Sequence, residues 1–102
     1  MHQIMDMKDR PTAVFTGSDE VAAGIIMEAR NQGVNIPEEL AVVGFDDQPL
    51  AQLLTPELTT IKQPVSEMGH KAMDLLIQSL SGTNVENKMY TLQHELVIRK
   101  TT

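Results

Sequence analysis

The chain has 102 residues, of which 41% are apolar and 22% charged, a balance that suits one small globular domain with a real core. Eight lysines and arginines stand against fourteen carboxylates, giving a net charge of −6, and they are scattered, so this stretch is not expected to grip nucleic-acid phosphates by itself. Cysteine is absent, which excludes disulfides and thiolate metal sites, and no apolar run approaches the roughly 20 residues of a membrane-spanning helix.

The start carries acidic Asp6 and Asp9 and no apolar signal-like run, while Met1, Ile4 and Met5 share one helical face. The stretch reads as the tail of a helix, and the chain is expected to begin inside a larger protein. Residues 12–16 form a β-rich run ending at Gly17, a first strand. Ser18 is placed to cap a helix whose first turn holds Asp19 and Glu20 and which stops at Gly33. Ala22, Ile25, Ile26 and Ala29 are expected to face the sheet; Ala23 and Met27, on the flank, call for a second partner.

Residues 40–45 form a continuous apolar run, as expected of a strand buried on both faces, closed by Asp46 and Asp47. A short helix follows with Leu50, Leu53 and Leu54 on one face, ended by Pro56; residues 58–62 form a third strand. Pro64 suits the first position of the next helix, whose Val65, Met68, Ala72, Leu76 and Leu80 recur at helical spacing before Gly82. A polar loop over 83–88 leads to a last strand over 89–98 and a basic tail. Strands alternating with helices predict an α/β fold, with a mainly parallel sheet flanked by helices on both sides.

In such sheets ligands lie outside the carboxyl ends of the strands. Three of those ends are polar here: Gly17-Ser18-Asp19, Asp46-Asp47 and Lys62-Gln63. Carboxylates that accept hydroxyl protons, beside an amide that both donates and accepts, suit a neutral polyol such as a sugar, and aspartates repel a phosphorylated ligand. Plainer roles compete. Ser18 reads first as an ordinary N-cap, Asp47 as a cap of the short helix, and Gln63 as a loop residue before proline. The seven methionines suit core and interface filling; His2, His70 and His94 lack metal-ligand spacing, and no cofactor motif is present. A different class also fits the carboxylates: Asp19, Asp46 and Asp47 around Mg²⁺, with Lys62 facing a phosphoryl group, as in a phosphoacceptor or hydrolase.

Three segments together carry a family resemblance. Pro11-Thr12-Ala13-Val14-Phe15 with Ser18-Asp19-Glu20-Val21-Ala22-Ala23-Gly24, then residues 36–47 (IPEELAVVGFDD), then Leu58-Thr59-Thr60-Ile61-Lys62-Gln63-Pro64 resemble, in order and spacing, the lactose-repressor family of bacterial transcription regulators. The match covers residue 11 to the end. It implies a partial periplasmic-binding-protein-like (type I) lobe of a cytoplasmic regulator, not an enzyme, working without cofactor or membrane. It also implies that operator DNA is bound only through a helix-turn-helix headpiece absent from this chain, and that a small effector, expected to be a sugar, changes operator affinity.

By the same resemblance Ser18, Asp46 and Gln63 are the effector-contacting positions of this lobe, with Ser18 replacing the commoner Asn and shortening the reach. Ala23, Met27, Leu50, Leu53 and Leu54 fall in the family's homodimer interface; the alternative is that they pack under a neighbouring loop. Residues 1–63 are then part of the C-terminal effector-binding lobe, 64–88 a crossover helix and loop belonging to the other lobe, and 89–102 a returning strand and tail. The helix over 65–80 is expected to be loosely held or to pack on a partner copy. A secreted sugar-binding protein of the same fold is the alternative within this architecture.

Overall fold

A computed structural model of the chain describes residues 1–82 and 89–102. The elements run α1 (His2–Met5), β1 (Ala13–Phe15), α2 (Asp19–Gln32), β2 (Ala41–Val43), α3 (Leu50–Leu53), β3 (Thr60–Lys62), α4 (Val65–Leu80) and β4 (Glu95–Val97). The expected polar loop over 83–88 lies outside the described residues. Two compact units emerge: Met1–Lys62 with Leu96–Thr102, and Gln63–Glu95.

In the first unit β1 and β2 pair in parallel, Ala13 opposite Ala41 and Phe15 opposite Val43. A parallel bridge between Val43 and Thr59 sets the β3 segment on the other side of β2, and β3 pairs with β4. The β1, β2 and β3 segments therefore end on one edge, as alternating strands and helices require. The core gathers Ala22, Ile26, Leu40, Val42, Ala51 and Leu58, with Met1, Val14, Ile25 and Leu54 packed against it.

Helix α2 follows its sequence signals closely. The Ser18 hydroxyl accepts the Val21 N–H, and Gly33 closes the helix in the left-handed conformation, φ 72°, its N–H returning to the carbonyls of Ala29 and Arg30. Ala22, Ala23, Ile26 and Ala29 are buried.

Other expectations need correction. Strand β2 is not buried on both faces: Val42 is enclosed, whereas Ala41 and Val43 are half-exposed. Pro64 is the N-cap of α4 rather than its first helical residue, and the last strand spans only Glu95–Val97, not 89–98. Asp47 does not cap α3, which starts after Pro49 without any side-chain cap.

The tail 99–102, read from the sequence only as basic, is built into the first unit. Thr101 is fully buried; its carbonyl accepts the Val42 N–H, and its hydroxyl donates to Val42 O and accepts the Thr59 N–H.

The second unit is organised around α4. No side chain of this helix is buried among the described residues, and Val65, Met68, Leu76 and Leu80 are all exposed. Within the same unit Lys71 Nζ lies 4.4 Å from the centre of the Tyr90 ring. A shallow hollow there is lined by Ser66, Glu67, His70, Lys71, Asp74 and Leu92.

Candidate functional site

The strand ends of the first unit are tied by backbone bonds that continue the sheet outward. Thr16 N–H donates to Val43 O at 2.9 Å, Asp19 N–H to Phe45 O at 3.1 Å, Gly44 N–H to Thr59 O at 2.9 Å and Asp46 N–H to Ile61 O at 2.8 Å. The β2 end thus touches both neighbours. These bonds bring Ser18 and Asp46 to one edge, each half-exposed. Gln63 follows the last residue of β3 and belongs to the second unit.

Capping does not exclude Ser18 from ligand contact. Its hydroxyl uses one lone pair on Val21 N–H, at 3.2 Å, and a hydroxyl has a proton and a second lone pair as well. The two readings of Ser18 are therefore compatible.

Asp46 and Asp47 have positive φ, 107° and 54°. Non-glycine residues rarely adopt such angles, and they persist only where surrounding contacts enforce them. Here three consecutive N–H groups are pinned: Asp46 to Ile61 O, Asp47 to the Thr60 hydroxyl at 3.4 Å, and Gln48 to Asp19 Oδ2 at 2.7 Å. Asp47 Oδ1 also accepts from the Arg99 guanidinium at 2.8 Å, and a second Arg99 nitrogen donates to Leu58 O at 2.8 Å. Both side chains of this ion pair are 11% exposed, so it lies largely out of solvent.

Asp19 is fully buried, a far stronger placement than the helix-dipole role its position suggests. Oδ1 accepts the Thr60 hydroxyl at 2.6 Å while Oδ2 takes the Gln48 N–H. Gly44 makes room for it, since a Cβ there would collide with Asp19 Oδ1 and stand 2.8 Å from Leu58 Cδ2.

These contacts bear on the magnesium reading. Asp19 and Asp47, two of its three carboxylates, are committed to internal donors, and no cluster of three potential ligands is found among the described residues.

Three features escaped sequence reasoning. Thr60 and Arg99 sit inside ordinary strand and tail composition, and only the tertiary fold makes them partners of the aspartates. Phe15, the last residue of β1, and Phe45, two residues beyond β2, meet edge to face with ring centres 6.5 Å apart. Two aromatic residues at matching strand ends were the signal available for that pair.

The candidate interface residues divide. Ala23 is only 8% exposed and has little surface left to offer, whereas Met27 and Leu53 are 61% and 78% exposed. Leu50 and Leu54 are half-buried.

Comparison with known proteins agrees with this architecture. The family model described as a periplasmic binding protein-like domain matches residues 1–102. The NTD biosynthesis operon regulator NtdR of Bacillus subtilis is 48% identical over 99% of this chain and 31% of its own length. The HTH-type transcriptional repressor CytR of Escherichia coli is 42% identical over 100% of this chain and 30% of its own. The crystal structure of a LacI-family transcriptional regulator from Lactobacillus casei with bound sucrose superposes with a TM-score of 0.83 at 38% identity. That match covers 98% of this chain and 37% of the other. This chain thus spans about a third of the length of the curated relatives it matches. It belongs to the periplasmic binding protein-like domain family, and it corresponds to the C-terminal part of that core as lactose-repressor-type regulators carry it.

Proposed function

We propose that this chain is the effector-sensing and dimerisation segment of a cytoplasmic transcription regulator of the lactose-repressor type, a sensor rather than a catalyst. Effector contact falls to Ser18, Asp46 and Gln63. The observation that carries the reading is the junction of Ser18 and Asp46 at the ends of adjacent parallel strands, the edge where open α/β sheets bind ligands. Gln63, the residue following β3, is assigned to the site through the family resemblance.

A neutral polyol fits this edge. Asp46 offers a carboxylate to hydroxyl protons, Ser18 adds a short hydroxyl, and no cationic side chain stands among the three proposed contacts to hold a phosphate. The sucrose bound to the Lactobacillus casei regulator supports the sugar class. DNA contact belongs to a headpiece outside this chain. The exposed Met27 and Leu53 support an isologous dimer through α2 and α3. The 64–88 segment is assigned to the other lobe of the intact protein, which would cover the apolar stripe of α4.

The test is a thermal-shift panel of neutral mono- and disaccharides, sucrose included, on the full-length protein, followed by calorimetric titration of the strongest binder. Leaving a sugar hydroxyl without its partner costs about 1–3 kcal/mol, so Asp46→Ala weakens binding by roughly 5- to 150-fold with dimerisation intact. An Asp46→Ala protein with unchanged affinity removes Asp46 from the site.

A further inference from the structure

We propose that Asp19 is a positioning residue for Asp46: it holds both ends of the Asp46–Asp47 turn and so keeps Asp46 in its strained, positive-φ conformation. Calling that conformation functional rests on the effector reading above; the conformational claim itself rests on the contacts alone.

The bracket has two arms. Asp19 N–H donates to Phe45 O, the residue before the turn, at 3.1 Å, and Asp19 Oδ2 accepts the N–H of Gln48, the residue after it, at 2.7 Å. Between those anchors lie the two positive-φ aspartates, 107° and 54°. Thr60 adds a cross-brace, its hydroxyl donating to Asp19 Oδ1 at 2.6 Å while accepting the Asp47 N–H at 3.4 Å. A residue that only favoured the α2 dipole would sit equally well in solvent, where a carboxylate is cheaper to keep. Full burial of Asp19 beneath Gly44, a site where a Cβ would strike its carboxylate, is instead what a built brace requires.

A thermodynamic cycle in the full-length protein, read by urea unfolding, tests the brace without any sugar. Glycine tolerates the positive φ, so Asp46→Gly alone raises the folding constant about three- to tenfold, the strain relieved less the added chain entropy. In an Asp19→Asn or Thr60→Val background Asp46 has already relaxed, and the gain disappears; Thr60→Ser restores it. The HN–Hα coupling of Asp46 moves in Thr60→Val and stays in Thr60→Ser. If Asp19→Asn does not fold, the Thr60 series decides the matter alone. An equal gain from Asp46→Gly in every background, with an unmoved coupling, overturns the proposal. A failed effector reading shows separately, as sugar affinity indifferent to Asp46→Ala while the cycle still couples.

Discussion

Helices α2 and α4 are both amphipathic, yet they stand in opposite states. Five side chains of α2 are buried, Asp19, Ala22, Ala23, Ile26 and Ala29, and its two ends are capped by Ser18 and Gly33. Helix α4 has the sharper apolar stripe and buries none of it among the described residues. An apolar stripe states that a helix has a partner, and only the fold states which segment supplies it. For α2 the partners are β2 and α3, within the same unit. For α4 the proposed partner is the other lobe of the intact protein.

That contrast can be broken by mutation. Leu58, fully buried in the α2 unit, is the sharpest probe: Leu58→Ala costs about 2–5 kcal/mol by urea unfolding of the 102-residue chain. In the same chain Leu76→Ala, on the exposed stripe of α4, stays within about 0.5 kcal/mol. Equal costs would mean that α4 is as firmly packed as α2. Between the two lies Arg99→Ala, which leaves the shielded Asp47 carboxylate and Leu58 carbonyl without their donor and costs about 1–3 kcal/mol. Arg99→Lys recovers only part of that loss, because one ammonium does not span two acceptors as a guanidinium fork does.

Much of the first unit was legible in the sequence because its signals are local. Gly33 needs its left-handed angle, Ser18 faces orphan N–H groups, and the run around Val42 has no other place than a sheet. The rim aspartates were legible as a polar strand end but not as a structure. Asp47 reads as a helix cap because Asp before a short helix is a common cap, and its true partner, Arg99, lies 52 residues away. Thr101 falls in what reads only as a basic tail and is buried against β2, again through long-range pairing. Asp19 shows the same limit. Its position in the first turn has a sufficient local explanation, which hides the brace to Thr60 and Gln48.

The central claim is that effector meets this chain at the ends of β1 and β2. It is tested most directly by mapping amide chemical shifts of the isotope-labelled full-length protein on titration with the sugar that scores highest in the thermal-shift panel. The account predicts the largest saturating changes at Ser18, Asp46 and their strand-end neighbours. Changes confined to the hollow around Ser66, Glu67 and His70 of α4, with Ser18 and Asp46 silent, would contradict it.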